Sequence, residues 1–444
     1  MTGRQWKAPA TTSTLHTRKV SAKGGGSRGL HMDQTLLREI ANDYLLPFFS
    51  GAVVEDNAAQ SNQYHELVAL KNHLSLFFKV NKNDLYRLTL FRSQSFVTQA
   101  SRIIPERDVV SAFVTVLSEM EDQLTTNLKQ DLLSTFQRRV VARALYNGLH
   151  ERTILAGIDQ MARWANRLYE GSPISAAIGF RQTSQDGTLD LAGFARHDFA
   201  AVLSNGFDTM LSFSFDGKFL GHESLPQGDS LPSYCPMRQS HIADWTTKKH
   251  TRLALSLNRL GEILVFRQEE LLFARRSGRW HFLTHEPVIS QMNVPRDLGL
   301  RRAIYETCLD ASFARTGACI GVMSRRNAAA WRKLVVLLDD HLELNQSDKC
   351  RALNAVIRGK NFKELDRRTR QELSAIDGAL ILSHTGDIHA AGAILKIEGG
   401  STGGGRLAAA KALGRLGLGI KVSQDGGISG FRGKASEPVF RVMS

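Results

Sequence analysis

Two features of this chain have the residue types and spacing for chemistry: a carboxylate in an apolar run and a glycine-rich helix start downstream. Asp377, followed by Gly378 and Ala379, lies in the apolar stretch 375–382, where a buried carboxylate is costly unless it is paired or bound to a metal. Thr402, Gly403, Gly404, Gly405 and Arg406 run directly into Leu407, Ala408, Ala409 and Ala410, a segment rich in helix formers. Glycines let backbone N–H groups approach a ligand, and the helix behind them aims unpaired N–H groups at the same spot. Arg406 can add a charge-assisted contact to a phosphate. A carboxylate beside a phosphate cradle is the minimum equipment for holding Mg²⁺ or Mn²⁺ on a nucleotide. Each piece alone also reads as a surface loop or a strand bend. Their order together favours a site.

The elements that must position these groups are legible around them. Residues 375–382 and 388–395 read as apolar strands joined by the turn signal Thr385-Gly386-Asp387. After the glycine-rich turn and its helix comes a third strand over 419–423, ending in Gln424-Asp425-Gly426-Gly427-Ile428-Ser429. Upstream, Ala303 to Leu309 reads as helical and leads into Arg315-Thr316-Gly317-Ala318-Cys319-Ile320-Gly321-Val322.

This series resembles the diadenylate cyclase domain. That family shows a D-G-A strand, a G-T-R-H-R-A-A turn and helix, a V-S-E-E-x-G-x-I-S strand and an earlier helix followed by a T-G-A-L-I-V-I strand. The likeness covers roughly the last third of the chain. It implies an ATP-binding α/β domain that joins two ATP molecules into cyclic di-AMP across a face-to-face pair, hence a homo-oligomer through this domain. By resemblance, Asp377 binds the metal and helps to activate the ribose 3′-hydroxyl. Gly378 and Ala379 line the nucleotide pocket, with Ser423 and Asp425 in the last motif, and the helix start holds the triphosphate. The chain departs from the pattern at the turn. In one register Arg406 replaces the family's histidine and Leu407 its second arginine; shifted by one, Arg406 stands for an arginine. Either way a cation that neutralises triphosphate is missing, and phosphoryl transfer depends on such charge stabilisation. Gln424 and Asp425 replace the two glutamates, keeping one carboxylate.

The chain of 444 residues has room for several domains. The expected layout is a disordered basic tail over 1–32, a helical domain over 33–168, a β-rich sensor-like α+β domain over 169–290 and the α/β domain, a mixed sheet flanked by helices, over 291–444. No apolar run approaches the roughly 18–20 residues of a membrane span, and 1–30 has no apolar signal-peptide core. The four cysteines are scattered, Cys308 and Cys319 in apolar surroundings, which fits free buried thiols and a cytoplasmic location. A net charge of +14 points to polyanionic partners, with nucleotides, nucleic acid and an acidic protein all open.

Apolar stripes at helical spacing read as bundle core: Leu36, Leu37, Ile40 and Tyr44 behind Asp33 as N-cap; Leu67, Leu70, Leu74 and Phe77; Val109, Phe113, Val116 and Met120; Leu132, Phe136, Val140 and Ala144. Polar connectors lie at Gln60, Asn62 and Gln63 and at Thr125, Thr126 and Asn127. From 172 to 287 the period shifts to two, and 253–283 reads as a meander with Ser277-Gly278 as its clearest turn. His222, His241, His250, His281 and His285 match no metal spacing. Arg275, Arg276 and Arg279 with Trp280 and His281 read as a solvated hairpin tip or, alternatively, a basic aromatic ligand patch. Residues 328–342 read as a helix, 351–373 as a charged, largely solvated connection, and 439–443 as an edge strand. Three function classes follow: a working diadenylate cyclase gated by the upstream regions, a nucleotide sensor on the same fold without turnover, and a basic nucleic-acid-binding protein.

Overall fold

The computed structural model describes residues 34–444 except 56–67, 71, 80–84, 98–103, 125–128, 147–149, 184–188, 227, 229–230, 248–250 and 398–403. The basic tail, Asp33, both polar connectors, Leu67, His250, Thr402 and Gly403 therefore lie outside the described residues.

Helix α1 (Gln34–Ile40) runs into a wider turn at Ala41–Leu45, so the first apolar stripe is helical as expected. The second stripe is not. Here β1 (Val53–Glu55), β2 (Val68–Leu70), β3 (His73–Lys79) and β4 (Leu85–Phe91) form an antiparallel sheet in the order β1-β4-β3-β2. Leu70 falls in β2, and Leu74 and Phe77 in β3. The run Leu74-Ser75-Leu76-Phe77-Phe78 fits both periods, and alternation wins once β4 pairs along its whole length. Helices α2 (Glu106–Leu124), α3 (Lys129–Leu145) and α4 (Glu151–Ala165) follow, burying Val109, Phe113, Val116, Met120, Phe136 and Val140.

A short hairpin, β5 (Leu168–Tyr169) and β6 (Ser172–Pro173), precedes the central sheet. This comprises β7 (Ala176–Arg181), β8 (Thr209–Ser214), β9 (Phe219–Ser224), β10 (Arg252–Leu257), β11 (Ile263–Arg267), β12 (Glu270–Arg276) and β13 (Arg279–Phe282), ordered β13-β12-β11-β10-β7-β8-β9. Helices α5 (Leu191–Ala195) and α6 (Ser240–Trp245) lie in its connections. The expected meander is β10 to β13. Both faces of this sheet are covered. Leu253, Leu255, Ile263 and Val265 share a core with the N-terminal helices, while Ala254, Leu264 and Phe266 share one with the C-terminal unit. One alternating pattern thus serves two cores.

The β12–β13 hairpin is solvated only at its tip. Its turn residues are exposed, but Arg276 and Trp280 are buried. Arg276 Nε donates to Glu262 Oε1 at 2.5 Å and Nη1 to Ser312 Oγ at 3.0 Å, with the guanidinium 4.6 Å from the Phe313 ring centre.

Helices α7 (His285–Met292) and α8 (Leu298–Ala314) open the C-terminal unit. Then come β14 (Ala318–Met323), α9 (Asp348–Ile357), α10 (Arg367–Ala375), β15 (Ala379–Leu382), β16 (Ile388–Ala393), α11 (Gly405–Leu416), β17 (Gly417–Val422), β18 (Ile428–Phe431) and β19 (Phe440–Val442). The strands form a mixed sheet ordered β16-β15-β14-β17-β18-β19, in which β14 and β15 are parallel and the other neighbours antiparallel. As expected, β19 is an edge strand. The described chain is thus a mixed α/β protein whose mixed sheets are flanked by helices.

One expectation for this unit fails. Residues 328–342 hold only short turns, at Ala330–Lys333 and Leu338–Asp340, because the backbone between them bonds elsewhere. Val336 N donates to Ile394 O at 2.9 Å and Lys396 N to Leu334 O at 2.7 Å, which a helix would forbid. The charged residues of the connection 351–373 are largely exposed, as expected, with two exceptions. Arg367 is buried, donating through Nε to Asp310 Oδ2 at 2.6 Å and to the carbonyls of Pro232 and Cys235, and buried Arg370 meets Glu306 at 2.8 Å. All four cysteines are free and buried. Among the described residues no helix is long and apolar enough to cross a membrane, and no three His, Cys, Asp or Glu side chains are grouped to hold a metal ion.

Candidate functional site

The candidate site lies at the end of the C-terminal sheet where β14 and β15 begin and β16 and β17 finish. Strand pairing sets this: Ile320 lies opposite Leu380 in the parallel pair, and Ala318 opposite Val422 in the antiparallel one. Helix α11 lies across β14 and β17 and starts at this same end. It sits close because small residues face each other. A Cβ on Gly419 would fall 1.8 Å from the Ala410 carbonyl oxygen, and one on Gly321 2.8 Å from Leu413 Cδ1. The alanine- and glycine-rich sequence of the helix is therefore a packing requirement as much as a propensity.

A cleft of about 350 Å³ opens between the helix start and the strand ends. Asp377, Gly378 and Ala379 line one side; Gly405, Arg406 and Ala409 line the other; Ile394, Leu395 and Ile397 give it an apolar wall, with Cys319 at its floor. Asp377 is not inside an apolar strand. It is exposed on a bend between α10 and β15, because the strand begins at Ala379. No hydrogen bond or ion pair to a described residue engages its carboxylate, which leaves it available at the cleft edge.

The bend demands glycine. Gly378 has φ +114°, and a Cβ there would meet the Gly392 carbonyl carbon at 2.5 Å; Gly392, at φ +63°, faces Ile376 equally closely. These two glycines let β15 and β16 approach with an irregular register, which turns Asp377 outward. Across the cleft, Gly404 has φ +83° and stands at the N-cap of α11, where it brings no side chain of its own. The start of α11 at Gly405 and Arg406 thus borders the cleft, an arrangement that suits an anion. Arg406 is half-buried beside Gly317, where a Cβ would stand 2.8 Å from its Nη1. Burial pushes the Cys319 thiol up to about 12 although Arg406 acts against it, so at neutral pH this floor residue is a protonated thiol and no nucleophile.

Thr402 and Gly403 lie outside the described residues. Ser423 and Asp425 are described, and the cleft wall does not include them. They close the β17–β18 turn: Asp425 accepts from the Ser423 hydroxyl and from Gly427 N, and Ser423 N donates to Gly427 O at 2.9 Å. The Ser423 hydrogen bond holds the Asp425 carboxyl below its usual range. These bonds close the turn through Asp425 Oδ1 and the Ser423 hydroxyl.

Sequence reasoning missed the brace behind the apolar wall. Buried Asp340 accepts from Ile394 N at 3.1 Å and from Lys349 Nζ at 2.5 Å, and the same ammonium donates to Gly392 O at 2.8 Å. It clamps the end of β16 to the segment before α9. Only the interruption of the apolar run by Asp339 and Asp340 hinted at it. The turn of Ser423 and Asp425 abuts the interior as well, since Ser312 Oγ donates to Gly426 O beside Arg276.

No family model matches this chain, and no curated protein matches it. Among solved structures, a double mutant of DacA from Staphylococcus aureus aligns with 27% of this chain and 85% of its own length, at 13% identity and a TM-score of 0.19.

Proposed function

We propose that the C-terminal unit binds ATP in this cleft and acts as a diadenylate cyclase-like nucleotidyltransferase, condensing two ATP into cyclic di-AMP. The observation that carries the reading is convergence. A free carboxylate at Asp377 and a glycine-rich helix start with Arg406 face one cleft of about 350 Å³ with an apolar wall. That volume lies within the range of small-ligand sites, roughly 300–1,000 Å³. In this reading, Ile394, Leu395 and Ala379 receive the base, and the Gly405 and Arg406 end of α11 receives the phosphates.

One carboxylate together with substrate phosphates is the usual donor set for Mg²⁺ or Mn²⁺, and uncommitted Asp377 fits it. When bound, the ion supplies charge neutralisation at the phosphates. This chain's residues do the rest. Arg406 and the helix start fix the triphosphate, and Asp377 orients the 3′-hydroxyl and draws off its proton. The O3′–Pα bond forms as the bond from Pα to the bridging oxygen breaks, and pyrophosphate leaves with the electron pair. A reciprocal attack closes the ring, which requires two clefts facing each other and therefore a homo-oligomer.

One observation favours a second reading, a nucleotide-binding domain without turnover. Arg406 is the one cation among the described residues of the cleft wall, and Asp425 is engaged in its own turn. Incubation of the full chain with ATP and Mn²⁺, followed by chromatography for cyclic di-AMP and pyrophosphate, separates the two. Product that disappears in Asp377→Asn supports the cyclase. Nucleotide binding without product supports the second reading, and absence of nucleotide binding overturns both.

A further inference from the structure

A second cavity, about 390 Å³, lies between the N-terminal helices and the β12–β13 hairpin. It is on the face of the central sheet that packs against α3 and α4, whereas the C-terminal unit covers the other face. Arg138 from α3 and Arg275 and Arg279 from the hairpin border it, with Tyr44, Ser134 and Trp280 completing most of the wall. Arg138 is paired with Asp159 at 2.9 Å. Arg275 and Arg279 have no carboxylate partner among the described residues, and Asp43 is the one carboxylate on the wall.

A half-buried guanidinium beside another, without its own counter-ion, is unfavourable in a protein interior. Burial and then the charge of Arg138 both act against the protonated form of Arg275. The cavity is nonetheless held open by an independent support. Buried Gln137 donates to the Tyr44 carbonyl at 3.0 Å and accepts from Trp280 N at 3.2 Å, tying together three segments of the wall. A built cavity with excess positive charge, hydroxyl donors and an aromatic side is complementary to an anion that accepts forked hydrogen bonds.

We infer that this cavity binds a small phosphate-bearing molecule, between pyrophosphate and a mononucleotide in size, through Arg138, Arg275 and Arg279. The site shares no residue with the C-terminal cleft and does not depend on the reading given for it. The alternation of β12 explains why one strand has two unlike arginines in succession: Arg276 points toward the C-terminal unit and bonds Glu262, and Arg275 points into the cavity.

The test is calorimetric titration of the full chain with pyrophosphate, with AMP and with citrate at constant ionic strength. Saturable binding of pyrophosphate or AMP is expected, falling about tenfold or more in Arg279→Gln and in Arg275→Gln and persisting in Arg406→Ala. Arg279 is exposed at the turn, so its variant keeps the fold and the result stands even where Arg275→Gln is destabilised. No saturable binding, or binding that Arg279→Gln leaves unchanged, overturns the inference. Citrate bound as tightly as either phosphate overturns the assignment of ligand class.

Discussion

His285 is fully buried, and protonating it would turn the Tyr305 hydroxyl from donor to acceptor. Its Nε2–H donates to the Leu271 carbonyl at 3.0 Å, its Nδ1 accepts from the Tyr305 hydroxyl at 2.7 Å, and its ring stacks on Tyr234 at 4.9 Å. The carbonyl can only accept, which fixes the tautomer. Burial pushes the pKa of His285 down to about 4, against about 6.5 in an unfolded chain. The unfolded state therefore takes up the proton first as pH falls. Stability is whole above about pH 6.5 and is lost progressively toward pH 4. A shift of about 2.5 units corresponds to about 3 kcal/mol in full, and about 2 kcal/mol of it is gone by pH 5. His281, also buried and pushed down to about 4, acts in the same window, so the single residue must be isolated by difference. Urea unfolding of the natural chain and of His285→Phe at pH 7 and pH 5 does this. The variant is less stable at both, having left the Leu271 carbonyl and Tyr305 hydroxyl unpaired, but its loss between the two pH values is smaller by about 2 kcal/mol. Equal losses in the two proteins would refute the reasoning.

Three further outcomes follow from the geometry. Gly378→Ala, at φ +114° with a Cβ 2.5 Å from the Gly392 carbonyl carbon, lowers stability to denaturant by about 2–5 kcal/mol, whereas a loss below about 1 kcal/mol would show that the bend yields. Asp310→Ala strands Arg367, whose side chain is 4% exposed, and costs about 3–5 kcal/mol in the same assay; a near-neutral result would mean that the Pro232 and Cys235 carbonyls suffice. Under the proposed function, Arg406→Ala weakens ATP binding about tenfold by calorimetry, and unchanged affinity would assign the phosphates to the backbone of α11 alone.

Much of the candidate site was legible because it is local. The helix start at Gly405 and Arg406 and the turn at Ser423 to Gly427 are written by adjacent residues and stand where the sequence places them, whereas Asp377 lies on a bend just before its strand. The exposure of Asp377 was not legible, since it depends on Gly378 meeting Gly392 across two strands. That the Ser423 and Asp425 side chains bond within their own turn was not legible either, since it depends on how β17 and β18 pair.

Alternation and helical periodicity by themselves determined the order of most elements, the central meander, the α2 and α3 stripes and the edge strand at the end. Only tertiary structure decided where one pattern admitted two answers or where a charge was turned inward. Leu74 and Phe77 became strand because β4 lies alongside, and residues 328–342 lost their helix to a bridge with 394–396. Arg276 and Arg367 look like surface charge in sequence and are buried because Glu262 and Asp310, distant in the chain, meet them there. A side chain's own neighbours set its local conformation. Its partner in the interior is set by the whole fold, because desolvating a charge is tolerable only where the packing delivers the opposite one.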